Sequence, residues 1–401
     1  MTYKQAKRKF RVEYLLMLPF VLAGRLYGAL FPLKTRHDLF LFFPNGDIGG
    51  SPQVNIDLTH CLRDKKPLIL FSKKPKNNGF REMFNIEGVR IIDLHRLIDR
   101  KIFHFVNFFY RGVIAAWINR SDSPVMIGGE SLFFYKLLQH VSKRTRRIEI
   151  CHLDTWLPYS IGHIDNIDER VFSTAYLKKQ VEQQYAENNL AEKYYKHLHF
   201  IDNSIPIPGE MQSNNKVLEV VFIGRGAPQK RVHLVAAIAE KMHRDDAPVS
   251  FSFIGDVEKI ISPASYPYCR FYGNISNQSQ LETIYAGADV LILTSAFEGL
   301  PVVVMKMMAY GKAVVSTAVN GIPDYIKHNE NGLLIYASEE AEIVEEGSRH
   351  LKLLASNPDL LKEFGRNNRI AAIQKFSAAH FCQSYRQLIY PEPSLACCDE
   401  G

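Results

Sequence analysis

Short continuous apolar runs, separated by stretches of helical periodicity, recur along this chain in two successive series. Residues 38–44 (DLFLFFP) are followed directly by the polar loop 45–51 and by helical spacing over 54–62. Further apolar runs come at 67–71, 89–92, 125–127, 148–151 and 171–173, with helix-like segments such as 103–119 and 132–141 between them and a polar helix at 175–192 after them. Apolar runs without alternation predict strands buried on both faces, and their alternation with helices predicts a parallel sheet. After a polar, proline-containing stretch the theme restarts, with runs at 218–223, 250–254, 270–272, 290–293, 313–315 and 334–336. Helical patterns lie at 280–286, 301–309, 341–354, 359–376 and 378–389, and 391–401 reads as a loose tail. At 401 residues the chain is too long for one core. The pattern therefore predicts two α/β domains, 34–203 and 204–375, a terminal segment 376–401 and a separate N-terminal segment 1–33.

That first segment breaks the pattern. Residues 14–24 (YLLMLPFVLAG) are uncharged, and Lys4, Lys7, Arg8, Lys9 and Arg11 crowd the turns before them. The apolar run falls short of the ~20 residues a helix needs to cross a bilayer, and no small-x-small cleavage site follows it. Two readings stay open: an amphipathic segment lying in the membrane interface, or a buried core helix. Pro19 predicts a kink in either. The basic cluster makes an anionic membrane surface a candidate partner and argues against nucleic acid, since the net charge of +7 is modest. Hydrophobic content of 46% with 23% charged residues describes a globular protein and excludes extensive disorder. The six cysteines show no metal-ligand spacing, so they are expected to be reduced thiols of a cytoplasmic protein, with neither disulfide nor zinc.

Candidate chemistry lies in the loops that follow strands, because ligands of open α/β sheets bind at the strands' carboxyl ends. Gly49 and Gly50 follow the first strand, Gly128-Gly129-Glu130-Ser131 another, and His152 with Asp154 the next. A tight turn explains the glycines as well as a ligand does, and a lone histidine is equally at home in a structural role. In the second half, Arg225 and Lys230 bracket a helix start where both can reach phosphate oxygens. The stretch from Thr294 onward places Glu298 and Gly299 just before the helix at Pro301, again an anion-binding arrangement.

In combination, Gly224-Arg225-x4-Lys230, Glu298-Gly299-x-Pro301 and Ala309-x-Gly311-x-x-Val314 resemble the GT-B glycosyltransferases, and within them the retaining enzymes of glycosyltransferase family 4. The likeness is strongest over 221–334. It implies two Rossmann-like domains facing a central cleft, with a last helix crossing back to the first domain. By resemblance, Arg225 and Lys230 bind the nucleotide diphosphate and stabilise the leaving group. Glu298, the first acid of the family's E-x7-E motif, contacts the donor sugar, and Gly299, Leu300 and Pro301 form the phosphate-binding helix start. Gly49 and Gly50 match a loop near diphosphate and acceptor, His152 a histidine that touches the sugar, and Ile275 the border of the base. The implied donor is a nucleotide-diphosphate sugar, with no other cofactor. The implied acceptor is a glycan or lipid-linked glycan in polysaccharide or lipopolysaccharide synthesis at the inner face of the cell membrane. No Asp-x-Asp occurs, so no metal is expected. One departure matters: Lys306 stands where the family has the second glutamate, a donor-only group replacing the acceptor for ribose hydroxyls. It can still donate to a ribose oxygen or pair with phosphate or Glu298, and it opens a second reading, a non-catalytic nucleotide-sugar-binding or scaffold subunit.

Overall fold

Each apolar run becomes a parallel strand in the computed structural model, which describes residues 2–99, 104–209, 215–275, 277–298 and 301–391. The chain divides into two units, 1–203 with 381–401, and 204–380. The first contains β1 (Leu39–Phe43), β2 (Leu68–Phe71), β3 (Arg90–Ile92), β4 (Val125–Gly128), β5 (Arg146–Cys151), β6 (Glu169–Phe172) and β7 (Leu198–Phe200). They form one sheet in the order β3-β2-β1-β4-β5-β6-β7, with Phe40 opposite both Leu68 and Met126. β1 lacks alternation because both its faces are covered. Leu39, Leu41 and Phe43 pack with Val54 and Ile56 on one side, and Phe40 and Phe42 with Phe133 and Phe134 on the other.

The second unit contains β8 (Leu218–Ile223), β9 (Val249–Ile254), β10 (Arg270–Phe271), β11 (Val290–Leu293), β12 (Ala313–Thr317) and β13 (Gly332–Ile335), ordered β10-β9-β8-β11-β12-β13. In each sheet the order reverses beside the first strand, between β1 and β4 and between β8 and β11. Loops leaving the carboxyl ends of those strands part to opposite sides and leave a crevice, which is where such sheets hold ligands.

Two expectations are corrected here. Cys61 and Cys382 form a disulfide with Cα atoms 5.1 Å apart. The terminal helix Ala378–Ile389 inserts Phe381, Tyr385 and Ile389 into the same core that holds Cys61, and Arg386 donates to the Cys61 carbonyl. That packing joins positions 321 residues apart, which spacing along the chain cannot reveal. The cysteines thus cease to argue for a reducing compartment. Cys151 and Cys269 are buried free thiols, and Cys397 and Cys398 lie outside the described residues.

The N-terminal segment is likewise longer than its apolar run. Tyr3–Leu30 forms one helix of 28 residues, capped by Thr2 and continuous through Pro19, and by length and composition alone it is able to cross a membrane. Its inner face, with Val21, Gly24 and Gly28, packs on the helix His104–Asn119.

Candidate active site

The second unit brings its motif residues together through a few hydrogen bonds. After β8 the chain makes a short turn at Pro228–Lys230 and enters the helix Val232–Arg244 through Arg231, which is left-handed at φ 43°. Arg231 holds that unusual conformation by donating to the Thr294 and Ser295 carbonyls at 2.7 and 3.0 Å, while Thr294 Oγ1 donates to the Arg231 carbonyl at 2.9 Å. The loops after β8 and β11 are thereby tied into one body. The loop after β9 presses on them: Gly255 has φ +120°, and a Cβ there would come within 1.9 Å of the Gly224 carbonyl oxygen. Asp256 Oδ1 accepts the Gly226 N–H at 3.0 Å.

Within this body Lys230 Nζ forms an ion pair with Glu298 Oε1, the two side chains being only 13% and 7% exposed. Ser295 Oγ donates to the same carboxylate oxygen at 2.7 Å, and Asn320 Oδ1 accepts the Glu298 N–H at 3.2 Å. Sequence reading missed Ser295 and Asn320 as supports for the acid. The three-residue spacing from Ser295 to Glu298 was the one available signal. Arg225 is exposed, with no side-chain partner among the described residues. Pro301 stands at the start of the helix Val302–Ala309, which no side chain caps, so its first N–H groups remain available to a ligand. Gly299 and Leu300 lie outside the described residues. Ile275 is half-buried in the loop after β10.

Lys306 is not part of this cluster. Its ammonium lies 5.4 Å from the centre of the Tyr285 ring, and burial lowers its pKa against the opposing charge of Glu282. Glu298 takes its cation from Lys230 instead.

In the first unit, Gly49 precedes the helix Gly50–Cys61 in an extended conformation and no side chain caps that helix. A Cβ at Gly50 would meet nothing within 4 Å, and one at Gly49 only Pro52 at 3.5 Å. The fold therefore does not require glycine at either position. Nearby in the same loop, burial raises the Asp47 carboxyl, but the N–H groups of Asn78, Lys76 and Asn77 outweigh it and hold the group below its usual range. His152 follows β5; its Nε2 is buried without a hydrogen-bond partner among the described residues, and burial lowers its pKa to about 4. The His152 N–H donates to Glu130 Oε1 at 3.1 Å. Glu130, left-handed at φ 52° and buried, has its carboxyl pushed up to about 7 by burial, against the His152 N–H and the charge of Lys73. A small pocket lined by Pro44, Asn55, Gly128, Gly129, Glu130 and His152 opens at this sheet edge. Sequence reading noticed Glu130 only as a strand-end residue and missed its contact with His152.

Two parallel sheets of this order, each with its loops gathered at the switch point, define the class: the chain has the GT-B fold. Residues 206–370, within the second unit, match the family model described as glycosyl transferases group 1. The chain is similar to the alpha-maltose-1-phosphate synthase of Mycolicibacterium smegmatis, 28% identical over 205 residues, covering 46% of this chain and 53% of the relative. The chain spans about half or less of the length of the curated relatives it matches. Among solved structures, the Anabaena protein HepE in complex with UDP-glucose aligns at a TM-score of 0.60 and 16% identity, covering 88% of this chain and 99% of that one. The lipopolysaccharide outer core galactosyltransferase WaaB aligns at 0.63 and 16%, covering 87% and 98%. At these identities the structures share the fold.

Proposed function

We propose that this protein transfers a hexose-type sugar from a nucleotide-diphosphate donor to a glycan acceptor, lipid-linked and part of cell-envelope polysaccharide or lipopolysaccharide synthesis, with retention at the sugar. The observation that carries the reading is the buried Lys230–Glu298 pair, which ties two motif loops at the switch point of the second sheet. A pyrophosphate arriving there competes with Glu298 for the ammonium of Lys230. The displaced carboxylate then accepts hydrogen bonds from sugar hydroxyls. Arg225, exposed and unengaged, closes on the same phosphates with its planar fork. As the glycosidic bond breaks, negative charge grows on the leaving diphosphate, and two cations with an open helix start at Pro301 stabilise it there, without a divalent ion. A diphosphate oxygen takes the acceptor hydroxyl proton on the same face of the sugar. Ile275 is proposed to border the base. Gly49, Gly50 and the neutral ring of His152 are proposed contacts for diphosphate, acceptor and sugar. Two structures of the same fold, one in complex with UDP-glucose and one a lipopolysaccharide outer core galactosyltransferase, motivate this choice of substrate class. The proposed location is the inner face of the cell membrane.

Incubating the purified chain with a panel of nucleotide sugars and lipid-linked acceptors, and reading product mass, tests activity and donor together. One sugar mass added to an acceptor is the expected result. Lys306 favours a second reading, a nucleotide-sugar-binding subunit without turnover, because its ammonium rests on Tyr285 in place of an acceptor for ribose. Calorimetric donor binding with no transfer for any pair would select that reading.

A further inference from the structure

The helix Tyr3–Leu30 is built inside out. Between residues 12 and 30 its charged side chains are Glu13 and Arg25, and both point into the protein. Glu13 pairs with Lys136 and lies 3.8 Å from Arg111, and Arg25 donates to the His140 carbonyl at 2.6 Å. The outward face is apolar instead: Leu15, Leu16, Leu22, Leu26 and Leu30 are 60%, 72%, 50%, 64% and 66% exposed. A helix facing water shows the reverse arrangement. Lys4, Arg8 and Arg11 continue the same helical line toward the N-terminus, at the spacing that aligns them with Leu15, Leu22 and Leu26. These three cations and Lys9 are exposed and have no side-chain partner among the described residues, whereas Lys7 is held by Asp165 at 2.6 Å.

We propose that this outer face docks on an anionic lipid bilayer, with the leucines in the acyl boundary and Lys4, Arg8, Lys9 and Arg11 on the headgroups. The inner face is committed to the protein. A Cβ at Gly24 would come within 1.9 Å of the Phe109 oxygen and one at Gly112 within 2.0 Å of the Val21 oxygen, so the two helix backbones touch. The partner helix His104–Asn119 in turn sends Ile114, Ala115 and Ile118 into the core of the first unit. The helix therefore lies along the surface half-immersed, although its length would allow it to span. A second copy of the chain is a poor occupant, because the face carries cations and no outward acid for a symmetric mate to meet.

Flotation of the full chain with vesicles tests the proposal independently of glycosyl transfer. Vesicles of phosphatidylcholine with about 30 mol % phosphatidylglycerol should carry the protein, and pure phosphatidylcholine should carry about tenfold less. Salt at about 0.5 M should release it, since screening removes the headgroup attraction. The pair Leu15→Asp with Leu26→Asp should abolish binding, and Lys4→Glu with Arg8→Glu and Arg11→Glu should remove the preference for anionic vesicles. Both variants should keep the wild-type circular dichroism and melting temperature. The idea is overturned by absence of flotation, by binding that ignores the leucine substitutions, or by resistance to salt and carbonate, which would mean a spanning helix. A dimer in light scattering that the leucine variant dissolves, without vesicle binding, overturns it in favour of self-association.

Discussion

At the switch point of the second sheet a cation and a carboxylate are already paired, buried and braced by Ser295, Asn320 and Arg231. At the switch point of the first sheet the glycine loop stands open, and the buried acid there, Glu130, takes its hydrogen bonds from backbone. Topology is shared; electrostatics is not. The second unit holds a fixed cation and carboxylate against each other, at the risk of a buried unpaired ion if either partner is lost. The first offers room beside a glycine loop and a buried carboxyl that burial pushes up to about 7.

Breaking the pair is the most severe way to break this contrast. Lys230→Ala removes the ammonium and leaves Glu298 buried alone, so a drop in kcat/KM of about 10³-fold and a destabilisation of about 3 kcal/mol are expected. Adding Glu298→Gln should restore the melting temperature and leave turnover lost. If the double variant regained turnover, the lysine would be a structural counter-ion and no part of the leaving-group site.

Arg225→Ala separates chemistry from fold more cleanly, since this side chain has no partner among the described residues to abandon. Thermal melts should match wild type while turnover falls about 10²-fold, the scale of one lost transition-state donor. Unchanged turnover would remove Arg225 from the phosphate site.

The first unit's contrast is sharpened by pH. Burial raises the Glu130 carboxyl to about 7 from its ordinary 4.5, so the unfolded chain ionises first. Its stabilising contribution is complete below pH 4.5 and is lost as pH rises through 7. From about pH 5 to 8 wild type should therefore lose about 2 kcal/mol more unfolding free energy than Glu130→Gln. His152, lowered from 6.5 to about 4, works in the opposite sense as pH falls and is common to both proteins. Denaturant titrations at the two pH values make the comparison, and parallel losses would mean that Glu130 ionises normally.

How much of this was legible along the chain depends on the range of the interactions. The strands could be read because β1 and β11 are apolar on both faces, a property of consecutive residues. Arg225, Lys230 and Glu298 could be read because short loops at strand ends carry them. The Lys230–Glu298 pairing, 68 residues apart, could not. Nor could the contact of Glu130 with His152, which sheet order creates, or the disulfide from Cys61 to the terminal helix, which helix packing on the core creates. The N-terminal helix misled for another cause. Periodicity records which residues are apolar and leaves open which face turns inward, and the charged residues that bound the run 14–24, Glu13 and Arg25, turn inward and anchor the helix.

The smallest expected effect asks whether the open glycine loop is shaped for a ligand. Gly50 begins the helix Gly50–Cys61, and an added Cβ would meet nothing within 4 Å of it. For folding alone, Gly50→Ala should be neutral or slightly favourable, by up to about 1 kcal/mol, because alanine loses less entropy on entering a helix. If substrate approaches the backbone there, the methyl group occupies its space, and kcat/KM should fall about tenfold, equivalent to about 1.4 kcal/mol. A variant equally stable and equally active would mean that the first switch point carries its glycines for no ligand, and the search for the acceptor would move to the pocket at Glu130 and His152.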